Sequence, residues 1–190
     1  MESVAQPPIS VVHTARPYTR TAVALHWALA MLLVTMTALG WYMMSIEDDP
    51  GSAWYFDIHK SVGLVTALLV SARLVWRLTH RPQGLPDTVP RWQAKLSQMT
   101  QALLYLVMVF MPVTGYLGAS YSKAGVRLFG LATPQWALPN HDAAEWLFGI
   151  HSVLVWVLVV VVGIHVLGAI KHLMIDKDGV FQRMWFRPNA

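Results

Sequence analysis

Trp146-Leu-Phe-Gly-Ile-His151-Ser-Val-Leu-Val-Trp-Val-Leu-Val-Val-Val-Val-Gly-Ile-His165-Val-Leu-Gly-Ala-Ile170 contains no charged side chain. A helix needs about 20 mostly apolar residues to cross the hydrocarbon core of a bilayer, so this run predicts a membrane span, continuing as helix to about residue 172. It holds two histidines 14 residues apart. At a rise of 1.5 Å per residue that spacing is roughly 21 Å, and at about 100° per residue the two differ in direction by only about 40°. One helix therefore presents two imidazoles on one face, one near each side of the membrane. They are too far apart to share a metal ion, and their spacing suits two haems stacked across a bilayer.

Three more apolar runs precede this one. Thr21 to Ile46 and Ser97 to Ser122 carry no charge, whereas Ile58 to Leu78 carries Lys60, Arg73 and Arg77. The expected fold is all-α, a four-helix integral membrane bundle with helices over about 21–46, 58–78, 97–122 and 146–172. Residues 1–190 read as one membrane domain, with 1–18 as a mobile tail. The first run is too long for the apolar core of a cleaved signal peptide and follows a polar stretch. The chain of 190 residues is 55% hydrophobic and 13% charged, a balance foreign to soluble domains.

The net charge of +4 does not point to nucleic acid, because the basic residues flank the apolar runs. With four crossings, eleven of them (Arg16, Arg20, Arg73, Arg77, Arg81, Arg91, Lys95, Lys171, Lys177, Arg183, Arg187) fall on the side of the termini, and three (Lys60, Lys123, Arg127) fall opposite. Basic residues accumulate on the cytoplasmic side, so both termini are expected there. The opposite side holds Glu47, Asp48, Asp49, Asp57, Asp142 and Glu145.

Cysteine is absent and histidine occurs eight times. Cysteine-ligated clusters, thiolate zinc sites and covalently attached haem are thereby excluded. His26, His59, His151 and His165 lie within or at the ends of the apolar runs, where an ionisable side chain is costly without a partner. An interhelical hydrogen bond would account for any one of them. Matched depths account for all four: His26 with His165 toward the cytoplasm, and His59 with His151 toward the outer face. Each pair offers two axial ligands to one haem iron and leaves it no open site, which favours electron transfer over oxygen activation.

Gly63 and Gly40 fall at the depth of the outer pair, while Gly115 and Gly118 read as helix-packing positions. His172 follows His165 by seven residues, about two turns on nearly the same face. His172 and Arg73 are candidate contacts for a quinone headgroup or a haem propionate. Lys123 and Arg127 are candidate attractors of an anion at the outer surface. His13, His80 and His141 read as solvated. Trp27, Trp41, Trp54, Trp146 and Trp185 read as interfacial anchors.

Several stretches together carry a resemblance. They are Tyr18-Thr-Arg-Thr-Ala-Val-Ala-Leu-His26-Trp27, Ile58-His59-Lys-Ser-Val-Gly63, Arg73-Leu-Val-Trp-Arg77, Pro112-Val-Thr-Gly115, Phe129-Gly-Leu, and His151, His165 and His172 with Asp176-Lys-Asp-Gly179. Almost end to end the chain resembles the prokaryotic cytochrome b561 family. The resemblance implies a four-helix bundle with two non-covalent b haems on the histidines named above, and electron transfer in the bacterial inner membrane. One branch of the family resembles a superoxide oxidase that passes electrons from superoxide to ubiquinone, and there the position of His172 is associated with quinone. Superoxide is the candidate donor and the lipid-borne quinone pool the candidate acceptor; no oligomeric state is implied. Two alternatives remain at this point. One is a haem b anchor or electron-relay subunit of a larger dehydrogenase or hydrogenase, and the other is a metal carrier without haem.

Overall fold

The computed structural model describes residues 17–81, 84–86 and 88–185. Most of the expected tail, with His13 and Arg16, lies outside the described residues, as does Arg187 near the other end. Four long helices dominate: α1 (Arg20–Ser45), α2 (Ser52–Thr79), α3 (Arg91–Tyr121) and α4 (His141–Lys171). All four are long and apolar enough to cross a membrane. A two-residue pair of strands, β1 (Arg127–Leu128) and β2 (Leu131–Ala132), forms an antiparallel hairpin between α3 and α4. After α4 come a π-helical turn at His172–Asp176 and a 3-10 turn at Phe181–Met184.

Local chemistry sets where the helices begin. The Thr19 hydroxyl accepts the Ala22 N–H at 3.2 Å and starts α1. The Asn140 side chain accepts the Ala143 N–H at 3.0 Å and starts α4. Three helices begin earlier than expected, at Ser52, Arg91 and His141, and of these only α4 carries a side-chain cap. The opening turns of α3 and α4 are polar and lie beyond the apolar runs, whereas α2 opens on Trp54, Tyr55 and Phe56, which Asp57 separates from the apolar run. His141, read as a loop residue, is the first residue of α4 and sits 3.3 Å from Glu145 one turn on.

The helices pack as α1 on α2, α2 on α3 and α3 on α4, and α4 has no comparable packing against α1 or α2. One apolar cluster joins all four: Leu29, Val70, Val107, Met108 and Leu158. Leu158 is seven residues from both His151 and His165, on the same helix face, and is 3% exposed. The cluster thus fills the middle of the bundle between the two histidine levels.

Both described ends of the chain meet at one face, which we call the terminal face. The Tyr18 N–H donates to the Arg183 carbonyl at 3.2 Å, and the Arg183 guanidinium lies over the Tyr18 ring. Trp27, expected as a lipid-interface anchor, instead turns its indole N–H to the Met184 carbonyl at 2.8 Å. A buried indole N–H seeks an acceptor, and here that need fastens the C-terminal turn to α1.

The opposite face carries the hairpin. Its two-residue turn has positive φ at Phe129 (49°) and Gly130 (85°), the geometry that matches the twist of a tight hairpin. Phe129 has a β-carbon and is strained there. Its N–H donates to Ser61 Oγ at 2.8 Å, and Ser61 is 1% exposed. The hairpin is thereby pinned to α2 two residues after His59.

Candidate functional site

The structure brings the four intramembrane histidines together in the two expected pairs. His26 on α1 faces His165 on α4 with ring centroids 6.1 Å apart and ring planes at 69°. His59 on α2 faces His151 on α4 at 6.3 Å and 79°. Leu158 and its cluster separate the two levels.

These separations have a chemical meaning. A transition metal binds an imidazole nitrogen at about 2 Å, and that nitrogen lies about 1 Å from the ring centre, so two rings on opposite sides of one ion have centroids about 6 Å apart. Both pairs match. Four histidine donors without a thiolate suit haem iron. Helix α4 packs only weakly against α1 and α2, the helices that carry the partner imidazoles. His59 Nδ1 is buried without a hydrogen-bond partner among the described residues, unusual in a finished interior. These observations fit a group held between the rings.

Small residues and carbonyls aim the imidazoles. A β-carbon on Gly40 would meet His59 Cε1 at 3.4 Å, whereas one on Gly63 would touch only Met36. Gly115, expected as a packing position, faces the His151 ring, and a β-carbon there would lie 3.1 Å from Cε1 and Nδ1. Gly118 does pack helix on helix, against Phe148. The Met111 carbonyl lies 2.9 Å from His151 Nδ1, with Thr114 Oγ1 at 3.4 Å. A proton held on Nδ1 by that carbonyl leaves Nε2 free as a ligand. Helix α3 supplies no ligand but orients one. No sequence signal marks the Met111 carbonyl, since Pro112 in the same helix frees the carbonyl of Met108 four residues earlier and not that of Met111.

Arg73 reaches the terminal-face pair as expected. Its Nη1 donates to the Ala22 carbonyl at 2.8 Å and its Nη2 lies 3.4 Å from His26 Nδ1. Arginine only donates, so a His26 that carries its proton on Nδ1 makes no hydrogen bond with it. The guanidinium then remains next to the pair as a cation suited to an anionic substituent. Arg77, one turn on, donates to Gln101 Oε1 and lies over the Tyr105 ring.

His172 lies at the terminal face, and Asp178 Oδ2 is 2.6 Å from its Nδ1. Lys171, its neighbour, pairs with Asp176. On the hairpin face, Arg127 is less free than expected. Its Nε lies 3.7 Å from Asp57 Oδ2, and Asp57 Oδ1 takes Lys60 at 2.8 Å. Lys60 also donates to the Gly125 carbonyl at 3.2 Å. Lys123 is exposed, just before the hairpin. His80, read as solvated, stacks on Trp76 with ring centroids 3.9 Å apart at the end of α2.

Comparison with known proteins gives a consistent set. A family model described as prokaryotic cytochrome b561 matches residues 17–187. Cytochrome b561 homolog 2 of Escherichia coli (strain K12) is 30% identical over 183 residues, covering 93% of this chain and 95% of that protein. The probable superoxide oxidase CybB of Yersinia pestis is 26% identical over 171 residues, covering 89% and 96%. Cytochrome b562 of Cereibacter sphaeroides is 25% identical over 173 residues, covering 88% and 94%.

Proposed function

Because the chain belongs to the prokaryotic cytochrome b561 family, haem b electron carriers of the bacterial inner membrane, we propose that it holds two b haems and conducts electrons between an outer donor and membrane ubiquinone. One haem lies between His26 and His165 and the other between His59 and His151. Superoxide is the proposed donor, and the terminal face is the cytoplasmic one. The single observation that carries the proposal is the pair of facing imidazole couples, 6.1 and 6.3 Å between centroids, stacked on one helix.

When bound between two imidazoles, haem iron supplies one-electron transfer without an open coordination site. The rest is the work of this chain. The Met111 carbonyl fixes the tautomer of His151, and Gly40 and Gly115 let the rings at the outer level stand upright. Arg73 offers a cation beside the inner pair, suited to a haem propionate. The Leu158 cluster keeps water from the space between the levels. Lys123 and Arg127 lie at the outer mouth, where an anionic donor would approach. The relative named as a probable superoxide oxidase favours superoxide over other donors.

The test is haem content and electron flow in the purified protein. Two haems per chain are expected, with superoxide reducing both and a short-chain ubiquinone reoxidising them. One haem or none overturns the ligand assignment. Haems that superoxide leaves oxidised overturn the donor.

A further inference from the structure

Beyond α4 the chain makes a turn that no haem requires. The helix widens to a π-turn over His172–Asp176, a form that often marks functional sites. Lys177 then takes a left-handed conformation (φ 51°) and Gly179 another (φ 80°). Such a conformation costs energy at a residue with a β-carbon. Its effect is to fold Asp178 back beneath His172. The Asp178 carboxylate is tied at both oxygens: Oδ1 accepts the Val180 N–H at 3.1 Å, and Oδ2 lies 2.6 Å from His172 Nδ1. The two side chains are 10% and 14% exposed.

Other charged groups are placed elsewhere. Asp176 is 3.5 Å from His172 Nδ1 but is paired with Lys171. The three groups His172, Asp176 and Asp178 are close enough for a divalent cation, yet the Lys171 ammonium already neutralises Asp176. His172 thus has Nδ1 held by a carboxylate, and no hydrogen bond to its Nε2 is found among the described residues. That is the arrangement by which a carboxylate fixes an imidazole tautomer and stabilises the imidazolium.

The geometry points to Asp178 as the positioning residue that makes His172 a proton donor to the quinone oxygen at the cytoplasmic face. The inference rests on the proposed quinone-linked function. Reduction of a quinone to its quinol takes two electrons, which arrive one at a time from the reduced haems, and two protons, which come from the cytoplasm. With Asp178 holding Nδ1–H, the imidazolium releases its Nε2 proton to a quinone oxygen, forming an O–H bond, and ends as the neutral Nδ1–H tautomer. Water on the cytoplasmic side then returns a proton to Nε2, and the second proton reaches the opposite quinone oxygen from cytoplasmic water, not from His172. Asp178 stays a carboxylate throughout.

Asp178→Asn separates this role from a structural one. If the new amide oxygen keeps the Val180 N–H, its NH2 faces His172 Nδ1 and imposes the opposite tautomer. The experiment uses the full-length, haem-loaded protein, reduced chemically and mixed with a short-chain ubiquinone while haem reoxidation is followed optically. In D178N the limiting rate is expected to fall between about tenfold and hundredfold, the usual range for a lost supporting carboxylate. The half-saturating quinone concentration should stay within about twofold, since the contact matters for proton transfer more than for binding. Haem content and chemical reducibility should be unchanged. H172A should slow reoxidation at least as much, and the D178N/H172A double variant no further than H172A alone.

A D178N variant as fast as wild type beside a slow H172A overturns the role of Asp178 and leaves quinone at His172 standing. An H172A variant as fast as wild type overturns both. Slowing by D178N that persists undiminished in the H172A background also overturns the role, because the effect then bypasses His172. Nitrogen-15 spectra of the histidines in the unsubstituted protein, assigned with H172A, test the same point without the Asp178 variant. His172 should carry a proton on Nδ1; a neutral ring protonated only on Nε2 refutes the arrangement.

Discussion

The imidazole of His151 stands where a β-carbon on Gly115 would come within 3.1 Å of its Cε1 and Nδ1. The ring is pressed against bare backbone of α3 and turned by the Met111 carbonyl. Under the proposed ligand assignment, Gly115→Leu should therefore displace the ring and release the haem held by His59 and His151, lowering haem content from about two per chain to about one. Gly115→Ala asks the ring to give by only a few tenths of an ångström and should retain both haems with an altered spectrum of the outer one. Haem per protein by alkaline pyridine assay measures both, and full haem content in G115L would contradict the placement.

The pairing itself predicts which losses go together. His26→Ala and His165→Ala should each remove the same haem, and His59→Ala and His151→Ala the other. In the first two variants the remaining outer haem should still be reduced by superoxide. Its reoxidation by ubiquinone should slow more than about tenfold, since the centre nearest the acceptor is gone. Spectra that group His26 with His151 instead would break the assignment.

Much of this was legible beforehand. Apolar length and helical periodicity are local properties, so four spans and the shared face of His151 and His165 could be read directly. The depth pairing followed from counting along each span. The Met111 carbonyl and Gly115 were not legible as ligand supports, because their role depends on how α3 docks on α4. The hairpin was hidden for a related reason: its anchor, Ser61, is 68 residues from the Phe129 N–H it accepts. Asp178 stands in the stretch Asp176-Lys-Asp-Gly179, where nothing in the sequence ties it to His172. Only the left-handed turn at Lys177, which apolar periodicity does not encode, brings it back to His172.

Arg73 places a positive charge beside His26. A nearby cation favours the reduced form of a haem, which carries one positive charge fewer. Arg73→Gln should lower the midpoint potential of the inner haem by tens of millivolts, since about 59 mV corresponds to a tenfold change for one electron. The outer haem should shift far less. Optical redox titration resolves the two. Equal shifts at both haems, or none, would remove Arg73 from the inner site.

On the hairpin face, proposed as the outer one, Asp57 sits between two cations, 2.8 Å from Lys60 Nζ and 3.7 Å from Arg127 Nε. Its carboxylate cancels one of the two charges that an approaching anion would feel. Asp57→Asn restores that charge without adding bulk. If superoxide passes this triad, its rate of haem reduction should rise severalfold at low ionic strength, and the gain should fade as salt is added, because screening at 1 M confines such fields to about 3 Å. Arg127→Glu should act in the opposite direction with the same salt dependence. The hairpin is also held by Ser61 and Lys60, so haem content should not change in either variant, which separates steering from unfolding. Stopped-flow reduction by superoxide over a range of salt is the measurement. Identical rates in the two variants at low salt would mean that the anion reaches the outer haem by another route.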